Sequence, residues 1–242
     1  MHTDKMEKIP QVIGCAYTFQ GSLGIRKKLT ASLIGKLAYH SSQERDFSYF
    51  YKGNSATVVF NGDELRLRDE NEIHWPEAEL ALILGNRHDI IGYSLSNDFT
   101  AIGIEVKGRT QDFDGTYFGK VWNGSCSLGP RLVSPDEIDI NDLDIGLRIY
   151  RRGSVIYDNK YNTQRRKRDF SELAEMIVEY HREFGINVPP SKRIETKDGF
   201  LVEGSVILAG TGLIVPKRCY SQKGDLVTVY NQHIGELVNK IN

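Results

Sequence analysis

From residue 57 onward the chain is a succession of short apolar runs with extended-chain character, and nothing else in the sequence constrains its fold as strongly. The runs cover residues 57–60, 78–84, 90–94, 145–150, 155–157, 205–208 and 226–230. Asn61-Gly62, Arg152-Gly153, Asp198-Gly199 and Lys223-Gly224 separate them, and each pair suits a tight reversal. Close reversals favour antiparallel neighbours and weigh against a repeated βαβ alternation. One helix is expected over residues 170–184, opened by Ser171 and carrying Leu173, Ile177 and Phe184 at helical spacing. The expected class is α+β and β-rich.

Ahead of these strands, residues 21–39 show Leu23, Leu29, Leu33, Ile34 and Leu37 at three- and four-residue intervals, which predicts a helix. Residues 1–52 therefore read as a small N-terminal lobe, with the polar stretch 41–46 suited to capping a site, and residues 53–242 as the main domain. A chain of 242 residues with 40% hydrophobic content can bury one substantial core without covalent staples. Cys15, Cys126 and Cys219 are odd in number and lack metal-site spacing, so a reducing compartment is expected. The first ten residues are charged where a signal peptide is apolar, and no apolar run approaches a membrane span, which points to the cytoplasm. Lys plus Arg total 31 against 32 Asp plus Glu, so neither nucleic acid nor a membrane surface is indicated as partner. A small molecule is.

Candidate chemistry begins at Trp75-Pro76-Glu77-Ala78-Glu79, followed by an apolar run. In a strand, residues two apart point to one face, so Glu77 and Glu79 project together. A second segment, Gly92 to Ala101, ends an apolar run on Asn97-Asp98, and a hairpin-like return brings Asp98 toward the two glutamates. Three convergent carboxylates favour Mg²⁺, Mn²⁺ or Ca²⁺ over zinc and leave coordination positions for water and a bidentate ligand. A solvated strand entrance is the alternative for a Glu-x-Glu on its own.

The Glu-x-Glu strand and the Gly-Tyr-x-x-x-Asn-Asp segment, in this order and spacing, resemble the signature of the fumarylacetoacetate hydrolase family. The likeness continues through Gly119 to Pro130, Ser134 to Ile138, Asn162-Thr163-Gln164, Leu208 to Gly212 and the closing segment from Lys223 to Asn239. The resemblance implies a mixed β-sandwich roll, a homodimer or higher homo-oligomer, and a 2-oxo acid as the small-molecule substrate. It also implies that Glu77, Glu79 and Asp98 hold the metal and that Lys120 and Thr211 act in catalysis. Asn123, Thr163, Gln164, Gly210 and Gly212 are implied as substrate-binding residues. A 2-oxo acid can chelate a metal through carboxylate and keto oxygens, and Lys120 can take a C3 proton or steady the oxyanion. A cation nearby favours the neutral amine that a base must be. Glycines flanking Thr211 would let backbone amides approach a bound carboxylate.

Some of the text departs from the family's pattern. Where the hydrolases carry a His and Glu pair that activates water, this chain has Tyr39-His40-Ser41-Ser42-Gln43-Glu44, with His40 next to the tyrosine. At i and i+4 on a helix, His40 and Glu44 still share a face. Ile102 stands where an arginine is usual, which removes a partner for a second substrate carboxylate. Trp122-Asn123 and the basic tract Arg165 to Arg168 resemble the 2-keto-3-deoxy sugar-acid dehydratase branch more than the hydrolases. The expected reaction is metal-dependent dehydration of a 2-keto-3-deoxy sugar acid. Acylpyruvate-type C–C hydrolysis, decarboxylation or isomerisation of a 2-oxo acid, and a non-enzymatic scaffold are the alternatives.

Overall fold

The computed structural model describes residues 8–20, 47–108 and 111–242. The helix expected over 21–39, the segment 41–46 expected to cap a site, His40 and Glu44 lie outside the described residues. Fourteen strands occur among them, in chain order β1 (Val12–Ala16), β2 (Ser48–Gly53), β3 (Val58–Phe60), β4 (Glu64–Leu65), β5 (Ala78–Leu84), β6 (Ile90–Asp98), β7 (Cys126–Val133), β8 (Asp144–Arg151), β9 (Ser154–Asn162), β10 (Thr196–Lys197), β11 (Phe200–Leu201), β12 (Val206–Leu208), β13 (Leu226–Asn231) and β14 (Gly235–Ile241). The α-helices are α1 (Ile102–Lys107), α2 (Gly115–Lys120) and α3 (Leu173–Arg182). None is long and apolar enough to cross a membrane.

A seven-stranded sheet runs β2-β1-β12-β5-β6-β7-β3 and a five-stranded sheet runs β4-β14-β13-β8-β9, with β10-β11 as a small hairpin. Pairing is mixed. β1 with β12, β3 with β7 and β4 with β14 are parallel, and the other pairs are antiparallel. Ile145, Leu147 and Ile149 of β8, every second residue, meet Leu80, Leu82 and Leu95 of the large sheet in one core, with Leu173 and Ile177 of α3. The strand-rich class with few helices is the one the apolar runs imply, and the packing of two mixed sheets is the one the resemblance implies. β1 and most of β2 come from residues 1–52, and both are strands of the large sheet.

β5 is buried almost throughout because both its faces are covered. Leu80, Leu82 and Leu84 point into the main core, and Ala81 and Ile83 join Val12, Val58, Cys126, Leu128, Val206 and Leu208 on the opposite face. By period two, Glu77 and Glu79 belong to that second face. The sandwich core therefore lies on one side of the sheet and the acids on the other.

β6 runs to Asp98, four residues beyond the run expected to end at 94. Its continuation alternates Leu95 into the core with Ser94 and Ser96 on the acid face, so it lacks a continuous apolar signal. β7 carries Gly129-Pro130 within the strand. The register of β6 against β7 shifts opposite it, between Tyr93 and Leu95, which is where a strand tolerates proline. α3 begins at Leu173, after a 3₁₀ turn over Phe170–Glu172, and no side chain caps it, so Ser171 lies inside that turn rather than opening the helix.

Candidate metal and lysine centre

Glu77, Glu79 and Asp98 each present a carboxylate oxygen, and these oxygens lie within 4.8 Å of one another. All three residues are buried, Asp98 completely. Adjacent antiparallel strands bring them together: Glu79 lies opposite Ser96, and the Asp98 amide donates to the Glu77 carbonyl at 3.0 Å. Neighbouring groups hold each acid. Trp75 Nε1 donates to Glu77 Oε1 at 2.9 Å, the Glu77 amide donates to Asn97 Oδ1 at 3.1 Å, and the Gly210 amide donates to Glu79 Oε2 at 2.7 Å. Gly210 can do this because its φ is +84° and because a Cβ there would come within 2.0 Å of Thr18 Oγ1.

Lys120 closes the cluster from α2. The Asp114 side chain accepts from the Tyr117 amide and starts that short helix. α1 and α2 pack so closely that a Cβ on Gly119 would meet the Glu105 backbone nitrogen at 2.8 Å, which places the end of α2 over the acids. Lys120 Nζ reaches Glu77 Oε2 at 3.0 Å, Asp98 Oδ2 at 2.6 Å and Thr100 Oγ1 at 2.7 Å. Its ammonium also lies 4.9 Å from the centre of the Phe50 ring.

The electrostatics follow from this crowding. Burial, with the charges of Asp98 and Glu77, pushes Glu79 well above the usual carboxylate range despite Lys120 and the Gly210 amide. Burial alone would raise Asp98 too, but Lys120 and Lys52 overcome it and hold that acid at about 2. Asp98 Oδ1 is paired with Lys52 Nζ at 2.6 Å, yet receives no well-angled hydrogen bond. Three hard oxygen donors within 4.8 Å of one another, one oversupplied with negative charge and one with an oxygen lacking a good donor, fit a hard divalent cation.

The other expected residues divide into two groups. Thr211 is buried, and its Oγ1 accepts from the Leu213 amide at 3.1 Å. Gly212 lies against Tyr161, where a Cβ would come 2.8 Å from the ring. The Gly210 amide is directed at Glu79. Thr163 Oγ1 accepts from the Leu143 amide and donates to the Ile140 carbonyl, both at 2.8 Å, so its hydroxyl ties the end of β9 to the loop before β8 instead of offering a donor. Gln164 and Asn123 are exposed. In the basic tract, Arg166 binds Asn141 and Asp169 and lies over Phe170, a structural use of its charge.

Sequence reasoning missed Lys52, Trp75, Thr100 and Tyr161. Tyr161 OH lies 3.2 Å from the Ala78 carbonyl and 3.3 Å from that of Gly210, linking the acid strand to the Gly210 loop. Trp75 adjoins Glu77 in sequence and was within reach of local reasoning. For Lys52 the only signal is a lysine following a strongly β-forming aromatic run, Tyr49-Phe50-Tyr51.

The chain is 31% identical over 195 residues to a probable 2-keto-3-deoxyxylonate dehydratase of Haloferax volcanii, covering 79% of this chain and 59% of that protein. It is 27% identical over 216 residues to the 2-dehydro-3-deoxy-D-arabinonate dehydratase of Saccharolobus solfataricus, covering 87% and 64%. The chain thus spans about three-fifths of the length of the curated relatives it matches. Among solved structures, a 2-keto-3-deoxy-D-arabinonate dehydratase complexed with magnesium and 2,5-dioxopentanoate superposes with a TM-score of 0.69 at 24% identity, over 96% of this chain and 73% of that one, and so shares the fold. The family profile described as fumarylacetoacetate (FAA) hydrolase C-terminal matches residues 28–242, and the chain belongs to that family.

Proposed function

We propose that this chain is a divalent-metal-dependent lyase that removes water from a 2-keto-3-deoxy sugar acid. The observation that carries the reading is the contact of Lys120 Nζ with two of three clustered, buried carboxylates, which puts an amine and a hard-cation donor set in one site. Glu77, Glu79 and Asp98 would hold the ion, Mg²⁺ first and Mn²⁺ or Ca²⁺ as substitutes. A divalent ion held there supplies Lewis-acid polarisation of the carboxylate and keto oxygens of a 2-oxo acid.

The chain's own residues do the rest. Lys120, in its neutral form, takes a proton from C3 at Nζ, the C3–C4 double bond forms as the C4–O bond breaks, and the resulting ammonium returns that proton to the departing C4 hydroxyl, which leaves as water. Thr211 keeps its O–H available to donate, because its oxygen serves the Leu213 amide only as acceptor. Phe50 and Trp122 wall the two lysines with aromatic surface. The curated relatives that carry dehydratase names support the lyase reading, and the magnesium in a structural relative supports the choice of ion. A homodimer in the cytoplasm belongs to the same proposal, on the strength of the family and of three buried free cysteines. Hydrolysis is the competing reading and relies on His40 and Glu44.

The test is to incubate the protein with Mg²⁺ and a panel of 2-oxo acids and to follow products by mass. Loss of water from a 2-keto-3-deoxy sugar acid is expected. Gain of water with cleavage of an acylpyruvate, or loss of carbon dioxide as the main change, would overturn the proposal. Lys120→Met should cut turnover by ~10²–10⁴-fold while Mn²⁺ still binds, the range for loss of a general base.

A further inference from the structure

Lys52 lies far from the catalytic motifs in sequence, yet it is fully buried against Asp98. β2 brings it there. Phe50 and Lys52 are two apart on that strand and so share a face, and both reach the acid cluster: Phe50 under the Lys120 ammonium and Lys52 onto Asp98 Oδ1. Lys52 Nζ also donates to the Phe99 carbonyl at 2.9 Å and to the Lys120 carbonyl at 2.6 Å, and it lies 5.3 Å from the centre of the Trp122 ring.

Two of its N–H groups go to these carbonyls and its charge pairs with Asp98 Oδ1, so its polar neighbours are oxygens of the protein itself. Its part in the site is placement and charge rather than proton transfer. Its contacts join the end of β6 to the end of α2, the two places from which Asp98 and Lys120 enter the site. It also contributes a fixed positive charge. Whichever form Lys120 takes, loss of Lys52 makes the loaded site one charge more negative, which disfavours a monocarboxylate ligand.

We infer that Lys52 is a positioning and specificity residue: it holds Asp98 and the end of α2 in place, and its charge weakens the site's grip on the metal while strengthening its grip on a monoanionic 2-oxo acid. This rests on the metal site proposed above and adds a sign to it. Two ligands of opposite charge should respond to loss of Lys52 in opposite directions, whereas damage to the fold weakens both.

The experiment uses the full chain, Mn²⁺ alone as the first probe and pyruvate at saturating Mn²⁺ as the second, each titrated by calorimetry. Lys52→Gln keeps hydrogen-bonding capacity and deletes the charge. One charge a few ångströms from a ligand, at an effective dielectric near 20, is enough for about a tenfold change or more. Lys52→Gln should therefore bind Mn²⁺ at least ~10-fold more tightly and pyruvate at least ~10-fold more weakly than wild type. Lys52→Met, a near-isostere that packs against Trp122, should show the same pair of opposed shifts if the glutamine variant unfolds. Parallel weakening of both ligands, or no change in either, overturns the inference while leaving the metal site intact. If neither variant unfolds cooperatively in the presence of Mn²⁺, the residue is a structural element and the inference also fails. Wild-type protein that takes up no Mn²⁺ would instead remove the metal site on which this reasoning stands.

Discussion

Two regions of this molecule use the same residue types to opposite ends. On the outer surface of the five-stranded sheet, Arg148 pairs with Asp158 at 2.8 Å and Lys160 with Asp144 at 2.5 Å, all four side chains between 28% and 60% exposed. On the acid face of the seven-stranded sheet, Lys52, Lys120, Glu77 and Asp98 make contacts of similar length with side chains no more than 4% exposed. Water screens the first set, and such pairs contribute little. The second set has lost its hydration, and its mutual attraction offsets that cost only in a particular geometry. Such a costly arrangement is unneeded by a core built from leucine and isoleucine on the other side of the sheet, which supports the proposed chemistry over a brace.

The contrast is broken most directly by removing one acid. Asp98→Ala and Glu79→Ala should each weaken Mn²⁺ binding by more than the ~10–100-fold that loss of an outer-sphere partner costs, as read by calorimetry. Unchanged affinity in both would reduce the cluster to a structural ion-pair network.

A smaller effect sharpens the comparison through pH. Glu79 is held well above the usual carboxylate range, first by burial and then by Asp98 and Glu77. A raised folded-state pKa contributes stability that is complete below the unfolded value near ~4.3 and is lost as pH rises toward the folded value. Asp98, lowered to about 2, works in the other direction, and its contribution is lost only in strong acid, as pH falls from ~3.9 through that value. From about pH 5 upward the Glu79 effect is therefore the one of the two acids that changes, opposed in part by His74 and His88, which burial lowers and which add stability as pH rises. Metal-free protein should lose melting temperature across that window, and the increment given by Mg²⁺ should grow with pH. Glu79→Gln should flatten both trends, and a Mg²⁺ increment independent of pH in wild type would contradict the assigned electrostatics.

The smallest effect belongs to the exposed ladder. Asp158→Asn removes the partner of Arg148 and of the Tyr230 hydroxyl, which donates to Asp158 at 2.7 Å. The cost should stay within about 1 kcal/mol, or ~2–4 °C in melting temperature for a chain of this size, with turnover unchanged. A loss matching that of an Asp98 variant would erase the distinction between the two regions.

Local periodicity carried a large part of this in the sequence. β5 spans the run expected at 78–84, and two-residue alternation alone puts Glu77 and Glu79 on one face. The short return from β5 to β6 makes Asp98 their neighbour, since an antiparallel hairpin leaves few other registers. Lys120 became legible through resemblance, not through periodicity. The polar half of β6 and the proline-bearing β7 were hidden because their alternation serves a site and a bulge instead of a continuous core.

What only the tertiary structure decided are the contacts that cross sheet order. Lys52 reaches Asp98 because β2 lies at one edge of the large sheet and α2 folds back over it, and the Gly210 amide reaches Glu79 across 131 residues because β12 is inserted between β1 and β5. The sequence by itself determines which face a strand residue takes, because that follows from a repeat of two. It does not determine which strands become neighbours, because that depends on the summed burial of many side chains at once, and a lysine bound for the core has the same local signature as one bound for water.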